Sequence, residues 1–163
     1  MITQTKKWET DLTQGELGER ILAEHFTKKY CLTDIIYNKD YRFDFKGIRS
    51  GETISFEVKT DRYEYFKGFN TYNMFIEVSC NNNPSGISNS QADNFIYFYP
   101  DQEEAYIIPM GKLRLLVMTN DLQLTEQSGD GGRVQGYLVH RNLFKEWFNI
   151  ITIKKDKNIW INK

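Results

Sequence analysis

The chain has 163 residues, of which 40% are hydrophobic and 15% aromatic, and its formal net charge is −1. That length suits one domain with its own core, and the balanced charge excludes holding nucleic acid by overall charge, leaving only local clusters of Lys and Arg. No apolar run approaches the ~18 residues of a membrane span and the N-terminus has no signal-peptide pattern, so the expectation is a cytoplasmic protein with no membrane partner.

The elements are predicted in chain order. Residues 1–12 form a polar lead-in, and Thr13-Gln14-Gly15-Glu16 has the form of a capping box that starts a helix running to about Lys29. Leu22, Ala23, Phe26 and Tyr30 make its apolar stripe, with Glu19 in the middle, where a carboxylate is costly without compensation. Cys31 and Cys80 have no CxxC spacing and are expected as buried free thiols. A short strand at 34–37 leads to a hairpin with arms 41–47 and 54–60, in which charged and apolar residues alternate. A two-residue turn at Ser50-Gly51 pairs Arg49 with Glu52, and counting back sets Asp44 opposite Glu57. Phe43, Phe45, Phe56 and Val58 then face a core, and Asp44, Glu57 and Lys59 face the other way.

Beyond the hairpin, 61–68 reads as a loop or irregular helix and 74–79 as a strand bearing a peripheral acid, Glu77. A turn at 81–86, a short helix at 88–93 and a strand at 95–99 follow, the last with a hairpin partner at 105–108. A helix is expected over 111–120, a flexible loop over about 125–136, a strand at 136–139, an amphipathic helix over 141–148 with Leu143, Phe144 and Trp147 buried, and a last strand at 158–161. All of this fits a single domain over 1–163, with a core at 13–110 and a C-terminal elaboration at 111–163.

Directly opposed residues hold their Cβ atoms roughly 4.5–5.5 Å apart, and two carboxylates that close repel unless a cation sits between them. Hard oxygen donors without His or Cys favour Mg2+, with Mn2+ as substitute. Lys59 reaches over the same face and can position a water or offset negative charge on an attacked phosphodiester. Glu19 would find its compensation as a further ligand, and the expected reaction class is metal-assisted hydrolysis of a phosphodiester.

At Gly15-Glu16-Leu17-Gly18-Glu19-Arg20, at Asp44 and at Glu57-Val58-Lys59 the chain resembles the PD-(D/E)XK nuclease superfamily, which includes restriction endonucleases and Holliday junction resolvases. The resemblance implies an α/β fold with a restriction-endonuclease-like αβββαβ core, its central mixed sheet flanked by helices. It also implies that Asp44, Glu57, Glu19 and the main-chain carbonyl of Val58 hold the metal while Lys59 assists the attacking water. Phe43 stands where the family's name has Pro, and 100–163 carries no family motif.

The expected activity is that of a Mg2+-dependent endodeoxyribonuclease using a metal-activated water. Its substrate would be DNA, branched or structured substrates included, with a homodimer as one route to acting on two strands. Lys46, Arg62, Lys67, Arg133 and Arg141 are candidates for tracking the phosphate backbone, and Ser88, Asn89 and Gln91 for contacting phosphates from a helix start. The competing class is a catalytically silent nuclease-fold protein that binds nucleic acid or a protein partner; an ordinary solvated sheet face would use the same residue types. His25 and His140 have no ligand spacing, and the glycine run at 129–132 lacks the Lys-Ser/Thr ending of a phosphate loop.

Overall fold

In the computed structural model, which describes residues 4–38, 40, 42–62, 72–129 and 132–154, the first ten by backbone alone, helix α1 spans Gln4–Tyr30. Residues 5–12 contain neither Pro nor Gly to stop a helix, so the Thr13–Glu16 box lies inside α1 instead of starting it. Cys31 ends the helix in the left-handed region, φ 55°, and is exposed there, not buried.

Three antiparallel strands follow: β1 (Thr33–Tyr37), β2 (Phe45–Arg49) and β3 (Glu52–Thr60). Strand β6 (Asn94–Tyr99) lies parallel to β3, β7 (Glu104–Pro109) antiparallel to β6, and β10 (Asn149–Thr152) antiparallel to β7. Together they form a mixed six-stranded sheet, β1-β2-β3-β6-β7-β10. The protein is thus α/β, and among the described residues α1 and α2 (Met110–Thr119) are its α-helices.

A parallel pair needs a long crossover, supplied by the chain between β3 and β6. Its described part contains β4 (Asn73–Cys80), a two-residue β5 (Asn83–Pro84) and a 3-10 turn at Gly86–Ser88. The helix expected over 88–93 is absent. Gly86 sits at φ +52° and Asn89 donates to the Pro84 carbonyl, a local bond that competes with helix formation, while Ser90 turns its hydroxyl to Glu57 on the distant β3. Strand β4 belongs to a second sheet, β5-β4-β9-β8, built with β8 (Leu124–Gly129) and β9 (Gly132–His140).

The loop expected over 125–136 is therefore mostly this β8–β9 ladder, which runs from Leu124↔Tyr137 to Gly129↔Gly132. Its outward-facing polar residues carry no apolar alternation, and the Asp-Gly between the paired glycines is a hairpin signal. Nor is 141–148 an α-helix: it holds turns and a 3-10 segment, Lys145–Trp147, and leaves Leu143 exposed. The strand expected at 158–161, and 63–68 of the expected irregular segment, lie outside the described residues.

Alternation gives the main sheet two apolar faces. Leu22, Ala23 and Phe26 of α1 pack on one, against Phe45, Phe56, Ile96 and Phe98, with the Phe56 ring stacked on Phe26 at 5.0 Å and on Phe45 at 4.8 Å. The other face, Phe95, Tyr97, Tyr106 and Ile108, is covered by Met74 and Ile76 of the second sheet and by Met110, Leu113 and Leu116 of α2. Burying each such large side chain stabilises the fold by roughly 1.5–3 kcal/mol. Among the described residues no helix is long and apolar enough to cross a membrane.

Candidate active site

The hairpin turn has the predicted form. Arg49 pairs with Glu52, and Ser50 and Gly51 adopt φ 52° and 82°, the two positive values of the turn that suits strand twist. The ladder then runs unbroken to Phe45↔Phe56. At Asp44 it changes step: its N–H donates to the Phe56 carbonyl (2.9 Å), although Phe56 already pairs with Phe45. Such a bulge-like step re-aims side chains. The Asp44 carboxylate turns across to accept the Val58 N–H at 2.6 Å, and Phe43 joins the core on the opposite face from Phe45, Phe56 and Val58. Asp44 is thus next to Glu57 through a bent chain end, not through a regular opposed pair.

Glu57 is half-buried on the face covered by the second sheet. Burial pushes its carboxyl up to about 8; the charges of Asp44, Glu77 and Glu19 push the same way, and the Ser90 hydroxyl, donating to Oε2 at 2.9 Å, opposes them. Burial likewise raises Asp44 to about 6 against the Val58 N–H. Two neighbouring carboxyls that both resist ionisation are a site short of positive charge.

Lys59, two residues beyond Glu57, is exposed at the mouth of a cavity of about 50 Å³ that Glu57, Val58 and Glu77 also line. Glu77 is accordingly a member of the cluster. It sits beside a register shift between Glu77 and Ser79, and its Oε1 accepts the Ser85 hydroxyl at 2.6 Å. Gly86 packs so closely that a Cβ there would lie 2.4 Å from the Glu77 carbonyl.

The charge of Glu19 is felt at Glu57, and α1 lies close to the end of β3. A Cβ on Gly18 would stand 2.1 Å from Thr60 Oγ1, whereas one on Gly15 would meet nothing within 4 Å. Gly18, not Gly15, is therefore the residue that lets the helix approach. Ser90 is the group that sequence reasoning missed, along with Arg114, which donates to the carbonyls of Ile87 (2.9 Å) and Ser90 (2.6 Å) and holds that segment against α2. Nothing in a polar run such as 88–91 marks one serine as the partner of a carboxylate on a distant strand.

The remaining candidates are scattered. Arg62 is engaged internally, with Asp101 at 3.1 Å and Gln14 at 2.9 Å. Arg133 pairs with Glu126 across the β8–β9 hairpin at 2.9 Å, and Lys46 lies over the Phe43 ring at 5.2 Å. Arg141 is buried at 4% exposure. Ser88 and Gln91 are exposed and Asn89 half-buried, around a 3-10 turn too short to present a helix N-terminus. Lys67 lies outside the described residues.

Among the described residues no group of three or more His, Cys, Asp or Glu side chains is placed to hold a metal ion. The donor set nevertheless suits a hard divalent cation: Mg2+ is commonly held by one or two carboxylates and keeps several waters. Asp44 and Glu57, each reluctant to ionise alone, offer those carboxylates. No protein-family model matches the chain, and no curated protein matches it.

Proposed function

We propose that the protein is a Mg2+-dependent endodeoxyribonuclease of the PD-(D/E)XK type, with Mn2+ able to substitute. The observation that carries this is the convergence of Asp44, Glu57 and Lys59 at one end of β3, with the charge of Glu19 reaching them from α1. The order of α1, three antiparallel strands and a strand parallel to the third supports the αβββαβ reading; the β-rich crossover departs from it.

Asp44, Glu57 and the Val58 carbonyl would hold the cation, with Glu19 as a further acid. When bound, Mg2+ supplies Lewis-acid charge to the phosphate and eases deprotonation of water. The chain's own residues do the rest. The Val58 N–H orients the Asp44 carboxylate, and Ser90 Oγ fixes Glu57 Oε2. Lys59 Nζ positions the nucleophilic water and offsets charge that builds on the phosphate oxygens. Specificity would come from DNA structure or from a second copy of the chain.

Incubating plasmid, single-stranded and branched DNA with the protein in Mg2+, Mn2+ or EDTA tests this. Cleavage that needs metal and is lost in Asp44→Ala and Lys59→Ala is expected; cleavage that survives both substitutions sinks the assignment. The lack of a three-side-chain cage among the described residues favours one other reading, a nuclease-fold protein that binds without cutting. A gel shift with no cleavage under any metal would select it.

A further inference from the structure

Away from the carboxylates, a cavity of about 410 Å³ is lined by Tyr72, Gln102, Glu104, Tyr106, Arg141 and Asn142. Its floor is unusual for a surface hollow. Arg141, 4% exposed, lies with its guanidinium 4.5 Å from the Tyr99 ring and 5.0 Å from the Tyr72 ring, and its Nη1 donates to Gln102 Oε1 at 2.5 Å. The guanidinium thus stacks over both rings in a favourable cation–π contact, and the Tyr72 ring also meets the His140 ring with centroids 6.1 Å apart. Tyr72 is 38% exposed.

Tyr72 is also held in a costly backbone conformation, φ 53°, in the left-handed region that a bulky residue rarely adopts. Its carbonyl accepts the Arg141 N–H at 2.7 Å, which fastens it there. Strain of this kind gathers at ligand clamps. Around the stack the polar groups have mixed character: Glu104 is an acceptor, whose Oε2 takes the Tyr106 hydroxyl at 3.1 Å, and Asn142 offers an amide. An acceptor carboxylate disfavours an anionic ligand, while the exposed Tyr72 ring beside donors and acceptors suits a flat heterocycle with a polar edge.

We propose that this cavity binds one unstacked nucleobase, its ring face on Tyr72 and its polar edge toward Glu104 and Asn142. This rests on the nuclease reading for the choice of a base within a DNA strand over a free nucleotide. Tyr99, which the Arg141 guanidinium overlies, is four residues beyond Phe95, the partner of Glu57 on β6, so it lies about 13 Å from there along the strand at ~3.3 Å per residue.

The test uses a short single-stranded oligonucleotide containing 2-aminopurine, in EDTA so that binding is read without cutting. A fluorescence change that saturates is expected with the parent and with Tyr72→Phe; Tyr72→Ala should bind about tenfold more weakly, as stacking losses on single strands do. Glu104→Gln, checked for folding by circular dichroism, should weaken binding as well. Competing deoxynucleoside monophosphates should be poor displacers; equal displacement would overturn the strand-borne source. Tyr72→Ala binding as tightly as the parent, or the same signal from duplex DNA, overturns the pocket. Metal-dependent cleavage with Tyr72-independent binding would sink the pocket and leave the nuclease assignment standing. Tyr72-dependent binding with no cleavage under any metal would do the reverse.

Discussion

The Val58 amide donates to the Asp44 carboxylate at 2.6 Å, tying the end of one hairpin arm to the middle of the other and leaving Glu57 beside it. That bond explains how two acids come to share a half-buried corner. Removing Asp44 removes both a donor to the cation and the carboxylate that orders the strand end. Asp44→Ala should therefore lower the cleavage rate at least about a hundredfold, and Lys59→Ala by a similar factor. Initial rates on supercoiled plasmid in Mg2+ give the measurement.

The same corner makes metal-free stability fall with pH. Glu57 and Asp44, raised to about 8 and about 6, keep protons in the folded state at pH values where the unfolded chain has released them. Their destabilisation is absent below about pH 4 and grows as pH rises toward 8. Melting in EDTA should occur at least 2–4 °C lower at pH 8 than at pH 5, the shift that about 1 kcal/mol produces in a chain of this size. Added Mg2+ should recover the loss at pH 8. Glu57→Gln should melt higher than the parent in EDTA at pH 8 and cut nothing.

Ser90 favours the charged form of Glu57 by donating at 2.9 Å, against the burial that raises its carboxyl. Its loss should raise the Glu57 pKa further, so the acidic limb of the pH–rate profile of Ser90→Ala should move to higher pH. A profile that superimposes on the parent's would remove Ser90 from the site.

Gly18 and Thr60 should be coupled. A methyl group on Gly18 would collide with Thr60 Oγ1. Gly18→Ala should cost about 1–3 kcal/mol by overpacking, and much of that should return when Thr60→Ala is added. Urea unfolding of the four proteins in a double-mutant cycle measures the coupling.

Arg62 should matter for stability more than for DNA. Its bonds to Asp101 and Gln14 fasten the end of β3 to the turn after β6 and to α1. Arg62→Ala should lower stability by about 1–3 kcal/mol and leave the salt dependence of DNA binding near that of the parent.

The sequence by itself determined the hairpin, its turn and its ladder, because period-two alternation and a Ser-Gly turn are local properties and register follows from counting along adjoining arms. It also determined the apolar stripe of α1, the β6–β7 hairpin and α2, each carried by residues close along the chain. Only the tertiary structure decided that α1 already includes residues 4–12, that Phe43 crosses to the other face, and that 125–136 is largely a two-stranded ladder. It alone brought Glu77 and Ser90 to Glu57, and turned Arg62 and Arg141 inward. These outcomes depend on which face of the main sheet the crossover lands on and on partners distant in sequence, and periodicity along one segment carries no record of either. Asp44 and Glu57 stand between the two cases: counting residues made them neighbours, but the bend that aims Asp44 at the Val58 amide belongs to the fold.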